Sequence, residues 1–142
     1  MQFMKPTDSE LEILHILWEQ GPGTVRTVND LLNERRESRK SDPSNSKPKE
    51  SAGYTTTLKL MQIMFEKGLV TRTEDGRTHT YAAAVREEDT QSLLLQQFVD
   101  NAFRGSTTRL VLQALGNHEA SAEELDEIKA LIAQIEQQQP KQ

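Results

Sequence analysis

The sequence of 142 residues contains no cysteine. It therefore has no disulfide framework, no thiolate metal site and no thiol redox switch, which is typical of a cytoplasmic protein. No apolar run approaches the roughly 20 residues that a membrane-spanning helix needs, and the first six residues show no apolar segment of a signal peptide. We expect a cytoplasmic chain without membrane insertion.

Aromatic residues are also scarce, at 5% of the chain, which argues against a large pocket for a small molecule. The sequence shows no phosphate-binding glycine loop, no nucleotide fingerprint and no serine, histidine and aspartate in a catalytic order. His15, His79 and His118 have no partner at metal-ligand spacing. We therefore expect no enzyme activity, no catalytic residue, no cofactor and no metal site.

Basic side chains are fewer than acidic ones, which gives a net charge of -5, but the two kinds are unevenly distributed along the chain. Residues 86–142 carry 5 basic and 10 acidic side chains, whereas residues 26–85 carry 11 basic and 8 acidic ones. Because the local field decides the attraction of phosphate, the acidic C-terminal part does not exclude nucleic acid as a partner of the N-terminal part.

The N-terminal half begins with two predicted helices. Thr7 and Glu10 have the spacing of a capping box, and the helix that follows ends at Gly21-Pro22-Gly23. Thr24 starts a second helix, which we expect to end near Arg36. Residues 36–53 have no apolar residue except Ala52, and they predict a mobile basic loop.

A third helix is predicted from Tyr54 to Lys67, with Gly68 as its stop. Its expected inward residues are Tyr54, Leu58, Met61, Met64 and Phe65, flanked by Leu60. Two threonine-rich strands follow, and Asp75-Gly76 fits the two-residue turn between them. This register pairs Glu74 with Arg77, Arg72 with His79 and Val70 with Tyr81. Three helices and a hairpin predict a winged helix-turn-helix.

The remaining residues predict helices alone, so the fold class is mainly α with a small β-hairpin. We predict two domains, a winged-helix domain over residues 1–85 and a helical dimerisation domain over residues 86–142. Three short helices cannot bury their apolar stripes among themselves, which favours pairing with a second copy. The predicted dimerisation residues are Leu94, Leu95, Phe98, Leu110, Val111, Leu125, Ile128, Leu131 and Ile132.

The polar face of the third helix is the candidate DNA surface. Thr55, Thr56 and Lys59 lie near its start, where they could reach base edges and phosphates, and Gln62 lies one turn further along. Arg77 at the hairpin tip could contact the backbone or the minor groove, with Arg72 and His79 supporting it along the wing. The alternatives are an ordinary solvated helix face and a Glu74–Arg77 pair that only decorates the turn.

The predicted loop carries further positive charge. Its basic residues, counted from the end of the second helix, are Arg35, Arg36, Arg39, Lys40, Lys47 and Lys49. They favour either a non-specific tether to phosphate or a loop that is merely solvated.

Several of these motifs, in this order, resemble the penicillinase repressor family of BlaI/MecI/CopY-like regulators. They are Thr7-Asp8-x-Glu10-Leu11, Gly53-Tyr54-Thr55-Thr56, Glu66-Lys67-Gly68-Leu69-Val70 and Glu74-x-Gly76-Arg77. The resemblance implies a bacterial transcriptional repressor that binds double-stranded DNA, at a palindromic operator, as a homodimer whose third helix enters the major groove. In its antibiotic-responsive members, a membrane sensor protease relieves repression by cutting the C-terminal region.

The sequence departs from the family pattern at three places. The loop of residues 36–52 is longer than the usual turn, and the absence of cysteine excludes a copper switch based on thiolates. The bond that matches the cleavage site joins Asn101 and Ala102, where Ala102 replaces a bulky residue. Two other functions stay open, a winged helix that binds a protein and a regulator that senses a small molecule.

Overall fold

A computed structural model describes residues 5–41 and 49–139 of the chain. Three helices come first, then a two-stranded antiparallel hairpin, then three more helices. They are α1 (Asp8–Gln20), α2 (Val25–Lys40), α3 (Tyr54–Lys67), β1 (Val70–Asp75), β2 (Thr78–Ala83), α4 (Glu87–Ala102), α5 (Thr107–Asn117) and α6 (Ala122–Gln138). This order confirms the predicted fold class, a mainly helical chain with an N-terminal winged helix.

The chain divides into two compact units, Met1–Leu94 and Leu95–Gln142. The division falls inside α4, nine residues after the predicted boundary at Val85. Among the described helices, none is both long and apolar enough to cross a lipid bilayer.

The helix starts follow the local sequence signals. Thr7 Oγ1 accepts the amide hydrogen of Glu10 at 3.2 Å, and the Glu10 carboxylate accepts that of Thr7 at 2.9 Å. Ser121 and Glu124 form the same reciprocal pair at α6, and the Thr24 side chain caps α2. Each cap satisfies backbone donors that the first turn of a helix leaves free. The predicted starts of α1, α2 and α6 are therefore confirmed.

The core of the first unit lies where α1, α2, α3 and the hairpin meet. Its buried residues are Ile13, Leu14, Ile16, Leu17, Val25, Val28, Leu32, Met61, Met64, Leu69, Val70 and Tyr81. Trp18 flanks this core and donates its indole N–H to the carbonyl oxygen of Val85 at 2.9 Å.

The second helix is longer than predicted, and the predicted mobile loop of residues 36–53 is wrong at both ends. α2 continues to Lys40, and Arg36 is buried rather than in a loop. The reason is Glu12 on α1, whose carboxylate accepts hydrogen bonds from the Arg36 guanidinium and from Lys49. Local composition predicted disorder because it contains no information about this distant carboxylate. Residues 42–48 lie outside the described part of the chain.

The hairpin turn lies one residue later than predicted. The observed cross-strand pairs are Val70 with Ala83, Arg72 with Tyr81, Glu74 with His79 and Asp75 with Thr78. Gly76 and Arg77 form the turn, and Gly76 has a φ of +66°, as glycine has at the first loop position of a type II′ turn. A loop of Asp75-Gly76 would place a side chain at that position. The three predicted pairs are therefore wrong, namely Glu74–Arg77, Arg72–His79 and Val70–Tyr81.

In the second unit, α5 and α6 are described in full and have no buried residue. Large apolar side chains are exposed along the helices of this unit. They are Leu95, Phe98, Val111, Leu112, Leu115, Leu125, Leu131, Ile132 and Ile135.

Candidate nucleic-acid interface

The third helix presents a polar face to solvent. Thr57, Met61 and Met64 are its buried residues, and Leu58 and Leu60 pack against the core while partly exposed. Because a helix makes one turn every 3.6 residues, the residues on the opposite side of α3 point to solvent. The exposed polar residues of this face include the four that the sequence analysis selected, Thr55, Thr56, Lys59 and Gln62. The structure therefore leaves all four free to contact a partner.

Two predicted core residues of this helix are wrong. Tyr54 is 44% exposed and Phe65 is 38% exposed. Each ring instead has an arginine over it, since Arg26 Cζ lies 5.4 Å from the centroid of Tyr54 and Arg72 Cζ lies 4.2 Å from that of Phe65. Apolar spacing alone could not distinguish a ring that contacts a cation from a ring that fills a core.

Thr57 is the buried residue that the sequence analysis missed. It is 0% exposed, and its hydroxyl donates to the side-chain oxygen of Asn29 on α2 at 2.6 Å. A buried hydroxyl is tolerated where it has such a partner. The helical spacing of residues 57, 61 and 64 is the signal that would have placed Thr57 in the core, but the predicted inward stripe contained only apolar and aromatic residues.

The start of α3 is fastened to α2. The Asn33 side chain accepts the amide hydrogen of Ala52 at 2.7 Å and donates to the carbonyl oxygen of Ala52 at 2.9 Å. Gly53, which caps α3, follows directly. Side-chain hydrogen bonds therefore hold the segment before α3 at a fixed place.

Glu12 holds the same region from α1. Its carboxylate lies 3.0 Å from the Arg36 guanidinium and 2.7 Å from Lys49 Nζ. Burial raises the pKa of Glu12, but the hydrogen bonds and charges of Arg36 and Lys49 outweigh burial, and the pKa is lowered from its ordinary value of 4.5. Glu12 is therefore charged at neutral pH and joins the end of α2 to the residues before α3.

Several of the basic residues that could tether phosphate form ion pairs in the structure. Arg35 pairs with Glu19, Arg36 and Lys49 with Glu12, and Lys40 with Glu37. Four of the six predicted cations thus already have a carboxylate partner, and Lys47 lies outside the described residues. For these four side chains, binding of phosphate would compete with an ion pair inside the chain, and the tether stays a prediction.

A cleft of about 410 Å³ lies between the start of α2, the third helix and the hairpin. Gly23 exchanges two backbone hydrogen bonds with Tyr81, at 2.9 and 2.8 Å, and so fastens β2 beside the start of α2. The polar and charged residues that line the cleft include Thr24, Arg26, Gln62, Arg72, Arg77, Thr78 and His79. No lining residue is acidic, so the cleft is a positively charged surface beside the exposed face of α3.

The hairpin contributes two of the predicted DNA contacts to this cleft. Arg77 lies in the turn, and Arg72 stacks on Phe65 from β1. His79 also lines the cleft, but Glu74 lies opposite, with 3.4 Å between His79 Nε2 and the Glu74 carboxylate. Of the wing residues, Arg72 and Arg77 are therefore the cations that no described carboxylate pairs with.

In the second unit, the predicted dimerisation residues divide into two groups. Leu95, Phe98, Val111, Leu125, Leu131 and Ile132 are exposed, whereas Leu94 at the end of the first unit, Leu110 and Ile128 are half-buried. Asn101 and Ala102 are exposed and are the last two residues of α4. Arg104 and Gly105 follow with positive φ angles of 52° and 83°.

The sequence profile of a family described as penicillinase repressor matches residues 44–134. The penicillinase repressor of Bacillus licheniformis is 24% identical over 126 residues, which cover 89% of this chain and 88% of the relative. The transcriptional regulator BlaI of Mycobacterium tuberculosis is 26% identical over 131 residues, 91% of this chain and 83% of the relative. A solved DNA binding domain of the repressor BlaI aligns with 62% of this chain and 90% of its own length, at 17% identity and a TM-score of 0.47.

Proposed function

The chain belongs to the penicillinase repressor family, and from that membership we propose that it is a transcriptional repressor, not an enzyme, that binds operator DNA as a homodimer. The observation that supports this most strongly is the exposed polar face of α3 beside a cleft lined by three arginines and no carboxylate. Such a surface suits the major groove and the phosphates that border it. A repressor of this kind works in the cytoplasm.

The two units have different roles in this proposal. The winged-helix unit binds one half-site, and the apolar residues exposed along α4, α5 and α6 pair with a second copy. Monomeric proteins rarely expose large contiguous apolar patches, which supports an occupied surface. Two copies related by a twofold axis require a palindromic operator.

We propose that the exposed polar face of α3 reads the base sequence. Thr55, Thr56 and Lys59 contact base edges in the major groove, with Gln62 nearer to the cleft. Arg72 and Arg77 contact the phosphate backbone from the wing. The chain's net charge of -5 does not oppose this, because residues 26–85 have an excess of basic side chains.

Replacing Thr56 by alanine should change sequence preference. Because a contact with a base edge discriminates between bases, the variant should lose about 1–3 kcal/mol of preference at one position of each half-site. Its affinity for a scrambled duplex should stay unchanged. Titration of operator and scrambled duplexes measures both quantities, and equal losses on the two duplexes would contradict a reading role.

Replacing Arg77 by alanine should lower affinity without changing sequence preference. A contact with the backbone carries no sequence information, so affinity should fall on operator and scrambled duplexes alike. The slope of the logarithm of affinity against that of salt concentration should decrease by about one unit per half-site. If neither Thr56→Ala nor Arg77→Ala changes binding by more than about twofold, the DNA surface lies elsewhere and a protein-binding winged helix becomes the better account.

We also propose that a membrane sensor protease relieves repression by cutting the segment that matches the family's cleavage region. Asn101 and Ala102 are exposed at the end of a helix, which is a place where a chain can unwind locally. Incubation of the chain with the matched sensor protease, followed by mass spectrometry, would show whether this bond is cut.

A further inference from the structure

The cationic cleft contains an arginine for which neither the sequence analysis nor the family match assigns a role. Arg26 is the second residue of α2, is exposed, and lines the cleft opposite the hairpin. A cation at the start of a helix gains nothing from the helix dipole. Helix stability therefore does not explain this residue.

The partners of the arginines differ between the cleft and the rest of the first unit. Away from the cleft, Arg35, Arg36 and Arg86 each pair with a carboxylate. In the cleft, none of Arg26, Arg72 and Arg77 forms an ion pair with any residue in the described ranges. The positive charge of the cleft is therefore not neutralised by an ion pair within residues 5–41 and 49–139, and we take it to be available to an anionic ligand.

Two of these arginines are held by aromatic rings. Arg26 lies over Tyr54 and Arg72 over Phe65, both on α3. A guanidinium that contacts a ring through its face keeps N–H donors at its edge, and these suit two oxygens of one phosphate. Holding the side chain beforehand also reduces the entropy that is lost when it binds.

We propose that the cleft holds the phosphodiester backbone of one operator strand, with Arg26 binding a phosphate from the α2 side and Arg77 from the hairpin. Tyr54 is a positioning residue, because it acts on the DNA through Arg26. This inference rests on the proposed function, since it names a further contact of the same DNA surface. It also gives a role to Tyr54, an exposed tyrosine at the first position of α3.

The test uses the full chain and two duplexes, the sequence that the wild-type protein selects from a random library and a scrambled version of it. Arg26→Ala should weaken binding to both by about tenfold for each copy, and so by about a hundredfold for a dimer, because each copy loses a charge-assisted hydrogen bond. For a dimer, the slope of log affinity against log salt should decrease by about two units, nearly one for each phosphate. Arg26→Lys, which keeps the charge, should retain the wild-type slope.

Arg86→Ala is the matched control, because it removes one exposed arginine that does not line the cleft. It should leave affinity and slope unchanged. An equal loss in both variants would mean that only net charge matters, and a change of less than about twofold in Arg26→Ala would mean that no phosphate is bound there. Either result overturns the inference, while unchanged melting temperatures exclude misfolding as the cause.

The role of Tyr54 is tested by a double-mutant cycle. Tyr54→Ala should lower the affinity for both duplexes by less than Arg26→Ala does. The double variant should bind both with the same affinity as Arg26→Ala alone. Tyr54→Phe, which keeps the ring, should behave as wild type. Fully additive losses would contradict the positioning role.

The failure of this inference differs from the failure of the proposed function. If Arg26→Ala is silent while Thr56→Ala and Arg77→Ala behave as expected, only the Arg26 contact is wrong. If the wild-type protein enriches no sequence from the random library, the proposed repressor function itself is wrong.

Discussion

Introducing glutamate at two exposed apolar positions of α6 should separate the dimer into monomers. Leu131 and Ile132 are 56% and 49% exposed, so Leu131→Glu combined with Ile132→Glu removes little buried area from a single chain. In a dimer the same positions would place charges in an apolar interface, at a high desolvation cost. We expect a monomer at micromolar concentration and operator binding about 10²–10⁴-fold weaker, because the second half-site is no longer bound intramolecularly.

Sedimentation and operator titration measure these two effects. Lys129→Glu on the same helix is the control, since it changes the net charge by the same amount as the two glutamates without touching an apolar position. It should stay dimeric. A double variant that remains a dimer, or a monomer with undiminished operator affinity, would contradict the role given to the second unit.

Removing Arg36 should cost about 3–5 kcal/mol of unfolding free energy, the usual effect of breaking a buried ion pair. The side chains of Arg36 and Glu12 are only 9% and 13% exposed. Arg36→Ala also removes the donor to the carbonyl oxygen of Glu50, which lies 3.0 Å away. Since Glu12 retains Lys49, we expect the lower end of this range, measured by chemical denaturation.

The neighbouring Arg35 provides the control. Its partner Glu19 is 57% exposed, so water screens the pair, and Arg35→Ala should cost at most about 1 kcal/mol. Equal losses in the two variants would show that Glu12 does not hold the start of α3 as described.

The same cluster predicts a pH dependence with a definite sign. The pKa of Glu12 is lowered because, although burial raises it, the bonds to Arg36 and Lys49 favour the charged form more. Its contribution to stability is therefore fully present above the ordinary value of 4.5 and is lost as the pH falls through the lowered pKa. In Glu12→Gln, this part of the acid destabilisation should be absent.

Local signals were sufficient to predict the helix starts and the third helix. The capping boxes at Thr7 and Ser121 lie within four residues of the backbone groups that they satisfy, so the sequence contains the whole interaction. Gly68, with a φ of +84°, likewise ends α3 for a local reason. The exposed polar residues of α3 followed from helical periodicity, whereas its exposed Tyr54 and Phe65 did not.

Interactions between distant residues could not be predicted in the same way. Arg36 and Glu12 are 24 residues apart, and Asn33 and Ala52 are 19 apart, so a composition typical of disorder hid two ordered loop ends. The arginine partners of Tyr54 and Phe65 were hidden for the same reason. In the hairpin, the predicted turn Asp75-Gly76 and the observed turn Gly76-Arg77 both contain Gly76, and only the observed backbone shows which loop position it occupies.

We propose that this chain recognises a specific palindromic DNA sequence through α3. Selection of duplexes from a random library by the 142-residue protein, followed by footprinting of the enriched sequence, tests this proposal. We expect a twofold symmetric site bound by two chains, with half-sites one or two helical turns apart, each turn roughly 34–36 Å. Its affinity should be at least about 10³-fold above that for scrambled DNA. Enrichment of no sequence at low or moderate salt, or equal affinity for selected and scrambled duplexes, would contradict it.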